Sequence, residues 1–127
     1  MTMRRYTEEQ LDQEVLALLR QHYGKTSPIG RWELVAKVYG PVAAQDQNDG
    51  NYADRQIREA VERLRKRGML ICDMADGGGR FMAQTVDEYQ AFRMKYGSRA
   101  FAIMDTLREM DKAAAKQWEN PLQPRML

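Results

Sequence analysis

The chain has 127 residues, 43% of them hydrophobic and 30% charged, which suits one globular domain with one modest core and excludes a disordered chain. No apolar run approaches the roughly 20 residues of a bilayer span, and MTMRRYTEEQ has no apolar segment behind its arginines. A soluble, unexported, cytoplasmic protein with no membrane partner is therefore expected, and one cysteine with one histidine excludes a disulfide framework or a Cys/His zinc site, so no metal and no cofactor are expected.

The formal charge is only +2, so its distribution carries the argument. Residues 1–51 hold six basic and seven acidic side chains, and residues 68–127 hold eight of each. Residues 52–67 hold six basic (Arg55, Arg58, Arg63, Arg65, Lys66, Arg67) against three acidic (Asp54, Glu59, Glu62). The excess positive charge sits in one short block.

In chain order, Thr7 followed by Glu8, Glu9 and Gln10 predicts a first helix, with Leu11, Val15, Leu18 and Leu19 on one face as far as Tyr23–Gly24. A second helix is expected from about Ile29 to Tyr39, capped by Ser27 or Thr26, burying Trp32, Val35, Ala36 and Tyr39 and stopping at Gly40–Pro41. The polar stretch PVAAQDQNDGN over residues 41–51 has loop composition.

The third helix is the clearest local signal. Asn51 is the expected N-cap, Asp54 the acid of the first turn and Gly68 the stop. At 100° per residue Ala53, Ile57, Ala60, Val61 and Leu64 share one side. Arg55, Glu59, Glu62 and Lys66 point opposite, with Arg58 and Arg65 on the flank. Met69–Met74 then reads as a strand, Ala75–Gly79 as a glycine-rich tip and Arg80–Ala83 as the returning strand.

Thr85 with Glu88 is a capping-box pattern, and helix is plausible from there to Trp118. Val86, Tyr89, Arg93, Tyr96, Ala100, Ile103, Leu107, Met110 and Ala114 alternate by three and four, a heptad-like stripe. Gly97–Ser98 allows either a kink or a break into two helices. The expected division is therefore residues 1–84 as the main domain, 85–118 as a helical extension and 119–127 as a flexible tail.

Three helices followed by a two-stranded hairpin form the arrangement of a nucleic-acid-reading unit, because an α-helix fits the major groove and its first half meets the base edges. The third helix carries suitable groups: Asn51, Tyr52, Arg55, Gln56, Arg58 and Glu59 near its start, then Glu62, Arg65 and Lys66. Arginine can fork onto guanine, glutamine can pair with adenine and glutamate can accept from cytosine. Arg55 and Arg58, helped by Gln56 and Glu59, are the expected base readers, while Arg65, Lys66 and Arg80 at the hairpin base suit phosphates. The competing reading is a solvated face laced by pairs such as Glu62–Lys66.

The segment NYADRQIREAVERLRKRGMLICDMADGGGRFMA, residues 51–83, resembles winged helix-turn-helix domains of bacterial and phage DNA-binding proteins. Ile57, Arg58, Ala60, Val61, Leu64, Arg65 and Gly68 match the recognition-helix part of that pattern, and Gly79, Phe81 and Ala83 match the strand leaving the wing. The stretch from Thr85 to Leu107 looks like the helical tail of small phage-borne members. The resemblance implies a mostly α fold with a small β-hairpin (α+β), the third helix (about 52–67) in the major groove and hairpin 69–83 as the wing. It also implies a sequence-specific binder of double-stranded DNA in transcription or replication control. One departure is the eleven-residue connection before the third helix, where the usual turn is three or four. That departure leaves open a non-enzymatic protein–protein adaptor, or a site marker for a phage replication or packaging machine.

No enzyme is expected: His22 has no visible catalytic partner, Cys72 reads as a small core residue, and Asp73 with Asp76 fits neither an EF-hand nor a phosphate loop. Trp32 reads as core, and Trp118 as a possible partner contact. The long stripe suggests a homodimer through the last helix, centred on Tyr96, Ile103, Leu107 and Met110, with a fold-back over the first helix as the alternative.

Overall fold

The computed structural model describes residues 3–118, so the tail expected at 119–127 lies outside the described residues. Helix α1 spans Glu8–Leu19 and opens with a capping box. The Thr7 hydroxyl accepts from the Gln10 amide at 3.1 Å, and the Gln10 side chain accepts from the Thr7 amide at 3.0 Å. Its buried face is Leu11, Val15 and Leu19, together with Asp12.

Strand β1 is the pair Ile29–Gly30, and helix α2 follows at once as Arg31–Tyr39. The helix therefore starts two residues later than its hydrophobic pattern suggests. Ile29 and Gly30 are taken by strand pairing with Arg80 and Gly79, and the extended Gly30, not Ser27 or Thr26, is the cap residue. Trp32 is half-buried against the core, with the Arg31 guanidinium 4.6 Å above its ring. Val35 and Tyr39 are buried as expected, whereas Ala36 is half-buried and Leu34 and Val38 complete the core face. Two N-terminal side chains close the end of α2: the Tyr6 hydroxyl donates to the Val38 carbonyl at 2.6 Å, and Arg4 donates to the carbonyls of Lys37 and Val38.

The connection to the next helix is not plain loop. Gly40, at φ +100°, turns the chain into a 3-10 turn over Pro41–Ala44, and only 45–51 is irregular. Helix α3 spans Tyr52–Lys66 and buries Ala53, Ile57, Ala60, Val61 and Leu64, as its periodicity requires. It also buries Asp54. Strands β2 (Ile71–Asp73) and β3 (Gly79–Met82) make the hairpin, in the register Ile71–Met82, Cys72–Phe81, Asp73–Arg80. The sheet is antiparallel with order β1-β3-β2. A Cβ at Gly79 would run into the Ile29 carbonyl, so the close approach of β1 to β3 requires glycine there.

Helix α4 spans Val86–Gln117 without a break at Gly97–Ser98, where the Ser98 hydroxyl donates back to the Met94 carbonyl at 2.7 Å. One helix, not two, follows the hairpin. Its first turn is fastened by Glu88, whose carboxylate accepts from the amides of Lys25 and Gln84, each at 2.8 Å, and of Thr85 at 3.3 Å. Those amide bonds, led by that of Lys25, hold the Glu88 carboxyl below the usual range. The chain divides into two units, Met1–Phe92 and Arg93–Leu127.

The first unit is mostly α with a small sheet. Its order α1-β1-α2-α3-β2-β3, a helix-turn-helix-like α2–turn–α3 followed by a hairpin, is a winged helix-turn-helix topology. No helix among the described residues is long and apolar enough to cross a membrane.

Candidate nucleic-acid interface

The solvent face of α3 is set by its apolar face. With Ile57, Ala60, Val61 and Leu64 sunk in the core, Tyr52, Arg55, Arg58, Glu59, Glu62 and Lys66 are all exposed, and Gln56 is half-buried. The Arg55 guanidinium lies 5.7 Å from the centroid of the Tyr52 ring, which steadies a long side chain at the start of the helix.

Asn51 is fully committed to structure. Its side-chain oxygen accepts from the Asp54 amide at 3.0 Å, and its amide nitrogen donates to the carbonyls of Ala43 and Asp46 at 2.7 and 2.9 Å. It pins the long connection to the helix start, which is how an unusually long link still delivers a well-placed α3.

Arg58 is also partly tied. Its Nε stands 3.1 Å from the Asp54 carboxylate, one helical turn back, while the side chain keeps 45% of its exposure. Asp54 is the hub of that region: Arg31 donates to both its oxygens, Nε at 3.0 Å and Nη2 at 2.7 Å. Burial alone would raise the Asp54 carboxyl, but the Arg31 hydrogen bonds and the charges of Arg31, Arg58 and Arg80 outweigh it and hold the carboxyl below its ordinary range. The same Asp54 bond makes Arg31 still more basic than usual.

The two arginines expected at phosphates behave differently from Lys66. Arg65 is 16% exposed and donates to the Ile71 carbonyl at 3.0 Å, to Asp73 at 3.1 Å and to Glu62 at 3.2 Å, with its guanidinium 4.9 Å from the centroid of the Phe92 ring. Arg80 is 13% exposed and 3.7 Å from Asp73, and burial makes it less basic than a free arginine. Arg65 links α3 to β2 of the hairpin, Arg80 faces Asp73 across the hairpin from β3, and Asp73 so receives both guanidiniums. Lys66 projects into solvent. The hairpin tip, residues 74–78, turns through Gly77 at φ +76° and extends past this pair.

The last helix buries none of its residues. Val86, Met94, Tyr96, Phe101, Ile103 and Met110 are exposed, and Leu107 is half-buried. Cys72 is fully buried, and that burial pushes its thiol up to about 11. His22 meets the Ser27 carbonyl at 2.9 Å. Among the described residues no three His, Cys, Asp or Glu side chains converge as a metal site.

Sequence reasoning missed Arg31, Asp49 and the burial of Asp54. A signal existed for Asp54, which lies seven residues before Val61 and three before Ile57 and so on the apolar face of α3. No family model matches the chain, and no curated protein or solved structure matches it either. The fold rests on its own geometry.

Proposed function

We propose that the protein is a non-enzymatic, sequence-specific binder of double-stranded DNA, with α3 entering the major groove and hairpin β2–β3 acting as a wing. The observation that carries this reading is the exposed face of α3 within a winged-helix topology. There, Arg55, Gln56, Arg58 and Glu59 occupy the first half of the helix, where base edges are met. Lys66, further along, takes a backbone phosphate. Arg65 acts first as a tie between α3 and the wing and Arg80 as a tie between the two wing strands, so their effect on DNA passes mainly through the wing's position.

Transcription control or replication control in a bacterial or phage setting is the role such a binder would serve. The exposed Ile103 and Met110 of α4 support a homodimer as the working form, with Tyr96, Ile103, Leu107 and Met110 in the seam. A two-fold dimer would favour an inverted repeat.

One observation favours a second reading, that of a protein-contact adaptor. Arg58, Arg65 and Arg80 are all paired with acids, which leaves the face less positive than its sequence. Selection of duplexes from a random pool by the purified protein separates the two. Enrichment of one sequence supports the DNA reading. Failure to retain any duplex at about 50 mM salt, where phosphate contacts are strongest, supports the adaptor.

A further inference from the structure

The region around Asp54 holds more cationic capacity than the fold consumes. The Asp54 side chain is fully buried, and two arginines from different helices converge on it, Arg31 from the start of α2 and Arg58 from α3. Arg31 uses its Nε and Nη2 edge on that carboxylate and stacks over Trp32, while remaining 31% exposed. Two guanidiniums around one carboxylate leave one positive charge at the surface.

That charge already has an occupant. Asp49, on the irregular stretch 45–51, places a carboxylate oxygen 3.0 Å from Arg31 Nη2, and its backbone carbonyl accepts from Arg58 Nη2 at 3.4 Å. The Asp49 side chain is 93% exposed, so packing does not hold it there. An exposed ion pair of this kind contributes little to stability, and another anion can replace it. A phosphodiester presents two oxygens sharing a full charge, which a guanidinium fork matches better than one carboxylate oxygen.

We propose that Arg31 and Arg58 form a binding site for a backbone phosphate of duplex DNA, and that Asp49 fills this site in the free protein as a displaceable internal anion. The inference rests on the DNA reading above, adds to it Arg31, which lies outside the basic block of α3, and gives Arg58 a phosphate rather than a base edge to contact. A phosphate held there positions α3 in the groove without reading sequence. Asp49 has a distinct effect: every duplex must displace it, so it lowers affinity for all sequences, and only sites that also satisfy Arg55 and its neighbours hold firmly.

Asp49→Asn keeps the shape and removes the charge, and the exposed position leaves the fold intact, which a thermal melt checks. Titration of wild type and D49N with one random-sequence duplex over a range of salt gives the test. D49N is expected to bind roughly two- to fivefold tighter, the equivalent of one exposed ion pair. Its slope of log affinity against log salt should steepen by up to about one unit, because one more phosphate is effectively neutralised. Equal affinity and slope for the two proteins, with wild type binding duplex, would overturn the phosphate site and leave the DNA reading standing. Absence of duplex binding by both at about 50 mM salt would overturn the two together.

Discussion

Arg63 grips Asp12 with two nitrogens, its Nε 3.1 Å from each carboxylate oxygen and its Nη2 2.8 Å from one of them, joining α1 to α3. The Asp12 side chain is 2% exposed, and the bond to it makes Arg63 more basic than usual. Arg67 adds a longer contact at 3.7 Å. Removing one partner of such a pair strands a buried charge, so Asp12→Ala should destabilise by about 2–4 kcal/mol, somewhat below the fully buried figure because Arg63 reaches solvent. Replacing both partners by apolar residues, Asp12→Leu with Arg63→Met, should cost clearly less than the single change. Urea unfolding of the three proteins decides this, and a double variant as weak as Asp12→Ala would contradict it.

Asp54 predicts a pH dependence. Its carboxyl is held below the ordinary range in the fold, chiefly through Arg31 against the opposing effect of burial. A depressed carboxyl stabilises fully above its unfolded value of about 3.9, and that contribution is lost as pH falls through the folded value. Glu88, held down by backbone amides, acts with the same sign. The melting temperature of wild type should therefore fall below about pH 4, and Asp54→Asn should be less stable at pH 7 with a flatter acid limb. Parallel melts from pH 7 to pH 3 that keep the same offset throughout would refute the assignment.

A Cβ added at Gly79 would lie against the backbone of Ile29 and Gly30 on β1. Gly79→Ala would push the β3 chain off Ile29 and open the β1–β3 ladder. A loss of about 1–3 kcal/mol is expected, the range of an overpacked site. Amide exchange should speed up at the β1–β3 pairing more than in α1. Uniform exchange across the domain would contradict a local effect.

Helices α1, α2 and α3 were legible because their burial is periodic. Thr7, Asn51 and Thr85 all cap as their side chains dictate, and Ile57, Ala60, Val61 and Leu64 are all inside. Strand β1 was not legible: two residues give no alternation, and Ile29 also fits the α2 pattern. The candidate face was half legible. Periodicity puts Arg55 and Lys66 outside correctly, but it cannot tell that Arg65 and Arg80 turn to Asp73, because one pair joins α3 to the hairpin and the other crosses the hairpin between its strands. Asp54 and Asp12 each sit on an apolar helical face, where an acid demands a cation from elsewhere in the chain.

Ile103→Asp with Leu107→Asp should convert a dimer of the wild-type chain into a monomer, read by light scattering at micromolar concentration. A wild-type protein that is already monomeric there would remove the dimer and, with it, the expectation of an inverted-repeat site.

Base reading by the exposed first half of α3 is the proposal on which the DNA function stands. Titrating wild type, Arg55→Ala and Lys66→Ala against the selected duplex and a scrambled one, at several salt concentrations, tests it most directly. Arg55→Ala should lose about 1–3 kcal/mol on the selected duplex and much less on the scrambled one. Lys66→Ala should weaken both alike and lower the salt slope by about one unit. Equal losses on both duplexes for Arg55→Ala would contradict base reading by α3.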